Sequence, residues 1–568
     1  MSAEQRFDLS SQALGALPIL RHFLDRLGVE GLLERCLPED DARTLMPAAR
    51  AIRLLVMNLC VEREPLYGIA EWAGSFPAWL LGLCDDEIDL LNDDRVGRSL
   101  DALFDCDRAT LLTQLVLSAI GEFGVDCCQL HNDSTSITLY GDYLQADGRV
   151  RGGQGTPAAR RGHNKEGRGD LKQLVLILTV SADGAVPLAH RLADGNTGDD
   201  QTHIETWDGL CVLVGRRDFL YVADSKLATR DQMGHIDHHD GRFVTVLPRS
   251  RTEDGRLREW MTSQAPNWTE AERRPGKRKS SPDLVWRVAS APFPTTEGYR
   301  ITWVHSSAKH HNDERARTER IDRARRALAE LSQRLGGPRS RITTRVAAEE
   351  AAAALLTASG AERWVSVTVT ETIEERYRQE KRGRPGNDTR YRKIEKTRYT
   401  LEVSVNAEQV RHDAASNGCF PLTTNDHNLT DTQVLAAYRY QPNLEKRHHE
   451  LKSVQDAAPV QLKSPFRIEA LFACQFIALL INCLVKRELR HAMTRQNIPE
   501  LALYHEARAC TAPTAALIYD QFAGVQRHHL TRDGHHLQTF DPQLTALQAQ
   551  LLELLGIPAT AYATDPVR

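Results

Sequence analysis

A chain of 568 residues exceeds what one hydrophobic core serves, and a prior of roughly one domain per 150 residues divides it into three or four units. Its 41% apolar and 26% charged residues are those of an ordinary globular protein, while a net charge of −4 excludes a globally basic nucleic-acid binder and leaves any DNA contact to local basic patches. Eleven cysteines without a C-x-x-C pair argue against a disulfide framework and for reduced, mostly buried thiols. The start MSAEQRFDLS lacks the apolar core of a signal peptide, so the expected location is the cytoplasm.

Residues 1–125 read as helical. ALPILRHFLDRL places Leu17, Leu20, Phe23, Leu24 and Leu27 at helical spacing, and MPAARAIRLLVMNLC and RATLLTQLVLSAIGEF repeat the pattern. The run Asp94 to Arg98 reads as a polar link between helices. A compact helical bundle is the plain assignment, and a reader of DNA ends is the functional one.

Near residue 128 the period changes. LHNDSTSITLY alternates, LVLILTVSADG (Leu174 to Gly184) is an apolar run ending in a D-G turn, and PLAHRLADGN follows, so the first three strands form an antiparallel meander. Thr202 to Val214 reads as helix, FLYVAD (Phe219 to Asp224) as buried strand, ATRDQMGHIDHH as helix and FVTVLP (Phe243 to Pro248) as strand. Three strands, helix, strand, helix, strand is the succession of a ribonuclease-H-like α/β domain, here assigned to residues 126–249.

Residues 250–418 hold basic loops, the strands LVWRVA, RITWVHS, WVSVTVT and YTLEVSV, and a helix around Arg315 to Leu335 with Ile321, Ala324, Leu328, Leu331 and Leu335 on one stripe. They read as a mixed α/β insertion domain. GCFPLTTN is a further strand, and residues 419–465 complete the core with a helix that Pro442 starts. From Asn428 the chain reads as helical to near its end, with 466–568 a helical C-terminal region. The apolar stretch Ala470 to Val485, which contains Gln475 and Asn482, is shorter than a membrane span and reads as a buried core helix.

Three carboxylates carry the chemistry. Asp133 lies in the first core strand and Asp224 ends the fourth. A charge there is costly to desolvate unless a cation or a donor meets it. Neighbouring strands would bring two such charges close enough to repel, and a divalent cation relieves that; hard oxygen ligands favour Mg²⁺ or Mn²⁺. Two ions about 3.5–4 Å apart could serve a phosphodiester. Taken singly, each aspartate reads more readily as a turn cap at a strand end. Glu445 and Lys452, seven residues apart in YRYQPNLEKRHHELKS, share a helix face, a carboxylate for metal and an ammonium for phosphate, although both could be solvated surface charges.

At these residues the chain resembles the DD(E) transposases of bacterial insertion sequences, in the branch with a Y-x₂-R-x₃-E-x₆-K signature. Tyr438, Glu445 and Lys452 match that spacing, while Gln441 stands where the signature has arginine and neither Arg439 nor Arg447 is in register. HNDSTS, GHNKEGRGDLKQLV (Gly162 to Val175), RLADGNTGDD (Arg191 to Asp200), FLYVADSK and LKSPFRIEALF are similar to further segments of that family, over roughly residues 10–535.

The resemblance implies a ribonuclease-H-like catalytic core with a β-rich insertion ahead of the glutamate helix, in a cytoplasmic, nucleoid-associated bacterial protein. It implies two Mg²⁺ (or Mn²⁺) ions on Asp133, Asp224 and Glu445, with Tyr438 and Lys452 positioning phosphate. The partners it implies are double-stranded DNA, as element ends and as target, and a second copy of the chain in a homodimeric synaptic complex.

Three basic patches supply what the net charge lacks: Arg149 and Arg151 through Arg160, Arg161, His163 and Lys165 to Arg168; Arg273 to Lys279; and Arg376 to Arg398 with Tyr377 and Tyr391 interleaved. Of these, with Lys226 beside Asp224, the expected DNA contacts are Arg160, Arg161, His163, Lys165, Lys226, Arg382 and Arg384. The histidines His235, His238, His239, His448 and His449 lack the ligand spacing of a zinc site. No P-loop or G-x-S-x-G motif appears, so neither ATP nor a serine nucleophile is expected.

Overall fold

A computed structural model describes residues 7–41, 43–198, 201–276, 281–336, 340–454 and 462–563. Of the second basic patch, Lys277, Arg278 and Lys279 fall outside the described residues. The chain divides into two compact units, one of Met1–Thr245 with Ala436–Arg568 and one of Val246–Leu435.

In the first unit the N-terminal helices Leu17–Leu27, Val29–Cys36, Ala48–Val61, Asp93–Asp105 and Arg108–Phe123 bury their apolar stripes, with Leu17, Leu20, Phe23, Leu24 and Leu27 all in the core. Two expectations are corrected here. Asp94 to Arg98 is the first turn and a half of a helix rather than a link. Asn92 caps it by accepting from the Arg95 amide at 2.8 Å, and Gly97 lets Arg467 approach.

The ends of the chain are also not wholly helical. Phe7–Ala13 is a strand paired antiparallel with Gln526–Arg532, which pairs in turn with His535–Phe540. The turn between the last two strands is Asp533-Gly534, both left-handed at φ 50° and 81°, the D-G signature of a two-residue hairpin.

The sheet of this unit has five strands: β1 (Gln129–Leu139), β2 (Lys172–Ser181), β3 (Pro187–Ala193), β4 (Leu220–Val222) and β5 (Arg242–Val246). Within this unit they run in the order β3-β2-β1-β4-β5. β1, β2 and β3 are antiparallel, and β1-β4 and β4-β5 are parallel. Helices α1 (His203–Val214) and α2 (Arg230–His238) follow β3 and β4. This mixed sheet with its two crossover helices fits a ribonuclease-H-like core.

β1 departs from simple alternation, because both of its faces are covered. Ser134, Thr135, Ser136 and Thr138 are buried along with its apolar residues. Their hydroxyls and those of their neighbours are kept hydrogen-bonded, as Asn132 with Thr179 and Thr138 with Asn164 show.

α3 (Gln441–His449), with Pro442 in its first turn, continues into a π-helical turn at Glu450–Val454. α4 (Pro465–Arg495) contains a stretch of mean hydropathy 2.1, apolar enough to cross a membrane, yet 83% of that stretch is buried in this unit against helices such as Ala48–Val61 and Asp93–Asp105.

The second unit joins the strands Thr269–Arg274, Leu284–Ser290, Arg300–Ser306 and Cys419–Thr424 in antiparallel succession. Its separate core lies where Ala324, Leu328, Leu331 and Leu335 of the long helix Ser307–Gly336 meet the helix Arg345–Ser359 and the hairpin Val365–Gln379/Tyr391–Val405.

Candidate active site on β1, β4 and α3

Parallel pairing of β1 with β4 joins Gln129 to Leu220, Leu130 to Tyr221 and His131 to Val222. Asp133 and Asp224 each follow two residues after the His131–Val222 pair. Asp133 lies within β1, whereas Asp224 stands two residues past the end of β4, so the two carboxylates lie off the same end of the paired segment.

The Oδ1 of Asp133 accepts from the Ser134 amide at 2.8 Å and lies 3.5 Å from the Lys165 ammonium, while its Oδ2 is 3.8 Å from Nδ1 of His448. Asp224, in extended backbone, caps the short turn Ser225–Leu227 by accepting from the Lys226 amide at 2.9 Å, and its carbonyl accepts from the Thr245 hydroxyl at 2.6 Å.

α3 is laid along one face of β1. Gln441 Oε1 sits 2.8 Å from Nδ1 of His131, His448 stands beside Asp133, and the Lys452 ammonium reaches Thr135 Oγ1 at 3.5 Å. His131, Asp133 and Thr135 are alternate residues of the strand, so the helix tracks its i, i+2, i+4 face. Glu445 is one turn after Gln441 on the same stripe. With Asp133, Lys165, Glu166, His448 and Lys452 it lines a cavity of about 600 Å³.

Tyr438 ends the helix Asp431–Tyr438. Burial pushes its phenol up to about 12, and the negative charges of Asp224, Glu445 and Asp133 push in the same direction. One phenol therefore senses all three carboxylates. Among the described residues, however, no three His, Cys, Asp or Glu side chains stand close enough together to form a ready-made metal site.

Lys452 sits in the π turn rather than on a continuous α-helical face, and its ammonium pairs with Glu166 Oε1 at 2.5 Å. That partner holds the Glu166 carboxyl below its usual range, and the Thr138 hydroxyl donates to Glu166 Oε2 at 3.0 Å. Burial drives His448 down to about 3, so it is neutral, and its Nε2 is buried without a hydrogen-bond partner.

Gln441 is itself buried and donates through Nε2 to the Asn132 carbonyl at 3.1 Å; it packs the helix onto the strand and presents no cation. Arg447 points into the interior, where it donates to Glu450 at 2.6 Å; Lys486 joins the same carboxylate at 3.1 Å.

Among the expected DNA contacts, Arg160, Arg161, His163 and Lys165 lie on an exposed segment stitched to β2 by the Arg160–Gln173 bridge. Glycine is required there. A Cβ on Gly162 would come within 2.2 Å of the Gly195 carbonyl, and one on Gly195 within 2.0 Å of the Gln173 carbonyl. Lys226 is exposed beside Asp224, whereas Arg382 and Arg384 occupy the exposed tip of the hairpin in the second unit. His235 is hydrogen-bonded to Asp208 at 2.9 Å. Sequence reasoning missed Glu166 as a cavity residue, since nothing local to it announces a partner on α3.

A family model described as "Domain of unknown function (DUF4277)" matches residues 9–117. No curated protein matches the chain. Similar solved structures include a piggyBac transposase synaptic complex with hairpin DNA, at 9% identity and a TM-score of 0.27, covering 51% of this chain and 60% of that one. A pre-cleavage Mos1 transpososome matches at 11% identity and a TM-score of 0.14, over 36% of this chain and 60% of that one. The chain thus spans less than two thirds of the length of these first two structures.

Proposed function

We propose that this chain is a DD(E)-type transposase, a metal-dependent polynucleotidyl transferase that cuts DNA at the terminal inverted repeats of a mobile element and joins the freed ends to target DNA. The observation that carries the reading is that Asp133 on β1 and Asp224 just past the end of its parallel neighbour β4 each stand two residues beyond the last paired residues, with Glu445 lining the Asp133 cavity and Tyr438 feeling the charge of all three carboxylates.

Hard carboxylate oxygens in this arrangement fit Mg²⁺ or Mn²⁺. Such ions are commonly held by one or two carboxylates together with substrate phosphates, so a three-residue set need not stand ready before DNA arrives. Asp133 and Asp224 would hold the ions and Glu445 would complete their surroundings; when bound, they supply activation of water or of a 3′-hydroxyl and neutralise charge on the leaving oxygen. The chain's own side chains do the rest. Lys452 and Lys165 offer ammonium groups to phosphate oxygens at the cavity, and Tyr438, protonated throughout the working range, offers a hydroxyl donor. Arg160, Arg161, His163 and Lys226 extend the track for the backbone, and Arg382 and Arg384 give the second unit its own phosphate contacts. Processing two ends calls for a dimer, with the C-terminal helices as its interface.

The absence of a ready-made three-residue ligand set among the described residues favours one second reading, a DNA-binding regulator that performs no chemistry. Incubation with duplexes carrying the element's inverted repeats, in Mg²⁺ and in EDTA, separates the two. Transposase activity predicts nicking by wild type in Mg²⁺ and none by Asp224→Asn. Nicking by both proteins, or by neither while DNA is still bound, sinks the proposal.

A further inference from the structure

Glu166 is the one carboxylate of the cavity that the proposed reaction does not use. It is presented by a segment fastened along β1: Asn164 Nδ2 donates to Thr138 Oγ1 at 2.9 Å, and the Lys165 amide donates to Ser136 Oγ at 3.1 Å. Held there, Glu166 Oε1 lies 2.5 Å from the Lys452 ammonium, which also reaches Thr135 Oγ1 at 3.5 Å. The Lys452 side chain is only 14% exposed while that of Glu166 is 41% exposed, so the carboxylate is the member of the pair that can leave for solvent. The adjacent Lys165 meets Asp133 at 3.5 Å and donates to the Ser134 carbonyl. One short segment therefore sets an anion on the cavity's lysine and a cation on its aspartate.

We propose that Glu166 is a phosphate surrogate: its carboxylate takes the place on Lys452 that a DNA backbone phosphate occupies in the complex, and substrate must displace it. Both groups are oxyanions that accept from an ammonium at the same distance, so the exchange costs no unpaired charge on Lys452, only the release of Glu166 to water. The ion pair keeps the lysine oriented toward the cavity before DNA arrives and lowers affinity for DNA that makes too few other contacts to drive the exchange. This rests on the reading of Lys452 as a phosphate contact.

The test measures binding of a duplex oligonucleotide of arbitrary sequence in EDTA at low salt, for the full-length protein and four variants. Glu166→Gln, which keeps the shape and the Thr138 hydrogen bond, is expected to bind roughly three- to fivefold more tightly than wild type, the size of a partly exposed ion pair. Lys452→Met in the Glu166→Gln background should abolish that gain relative to Lys452→Met alone. Asp170→Asn, which removes a like charge from the same segment, should give a distinctly smaller gain.

Unchanged or weaker binding by Glu166→Gln, or a gain that persists without Lys452, or one that Asp170→Asn equals, overturns the surrogate while leaving the transposase reading intact. Failure of wild type and all variants to bind DNA overturns both.

Discussion

Gln441 Oε1 lies 2.8 Å from Nδ1 of His131, and this contact seats the Glu445 helix on the strand that carries Asp133. Because Gln441 Nε2 donates to the Asn132 carbonyl, its oxygen must accept, which makes Nδ1 the protonated nitrogen of His131 and leaves Nε2 to accept from Gln129 at 2.8 Å. Burial lowers His131 to about 4, in keeping with a neutral ring. Placing an arginine there by Gln441→Arg should therefore harm the protein. It leaves His131 without its acceptor and buries a charge, at a cost of about 1–3 kcal/mol. Thermal unfolding should shift down by several degrees, and DNA affinity should not rise; an arginine variant with unchanged stability and tighter DNA binding contradicts this role for Gln441.

Asp224→Asn keeps an oxygen for the Lys226 amide, so the turn Ser225–Leu227 should survive. Removing the negative charge should nonetheless lower Mg²⁺-dependent cleavage by about a hundredfold or more, since each ion contributes several kcal/mol. Circular dichroism and cleavage rates measured together check this, and parallel loss of both would show the aspartate to be a cap alone.

Tyr438→Phe removes a hydroxyl whose pKa burial and the three carboxylates raise to about 12. The phenol stays protonated up to pH 10, so its loss should reduce cleavage by roughly tenfold at every pH tested, without a new inflection, in the range of a lost charge-assisted hydrogen bond. A pH-dependent deficit would instead mean that the phenol ionises during the reaction.

Glu450 accepts from both Arg447 at 2.6 Å and Lys486 at 3.1 Å, two cations that are 7% and 2% exposed. Glu450→Gln leaves both without their countercharge and should cost about 3–5 kcal/mol, whereas Lys486→Met, which leaves the Arg447 pair intact, should cost much less. Denaturant midpoints of the two variants give the comparison; equal losses would show that the network does not depend on Glu450.

His190 and Glu469 set opposite pH slopes. Burial against Phe476, at a ring distance of 4.5 Å, lowers His190 from 6.5 to about 4, and the charge of Arg108 adds to this. The unfolded chain binds the extra proton, so this contribution is full above pH 6.5 and is lost as pH falls toward 4. Burial raises Glu469 from 4.5 to about 7, against the pull of Arg108 at 3.8 Å, so its contribution is full below pH 4.5 and is lost as pH rises through 7. Each slope approaches about 1.4 kcal/mol per pH unit, and between pH 4.5 and 6.5 they oppose. Glu469→Gln should expose a stability that rises with pH across that window, and His190→Phe one that falls. Melting curves at several pH values decide it; matching profiles for the two variants would refute the assignment.

Much of the architecture is legible in the chain itself, because it is encoded locally. The apolar run of β2 with its D-G turn, the helical stripe of Ser307–Gly336 and the proline that starts α3 each reflect a backbone preference or a period within a few residues. That Asp133 lies in one strand and that Asp224 closes the segment of another can be read in the same way. Some local signals compete with stronger ones: Asp533-Gly534 marks a hairpin inside a stretch that reads as helix, and Asn92 marks a helix start just ahead of Asp94 to Arg98, which reads as a link.

What the tertiary structure alone decided are contacts between segments from about 90 to about 310 positions apart. Parallel pairing of β1 with β4 brings the Asp133 and Asp224 segments side by side, Gln441 serves as a bolt to His131, the π turn carries Lys452, and Glu166 meets that lysine in the cavity. No period or propensity encodes such pairs, since they depend on which surfaces bury one another once the elements have formed.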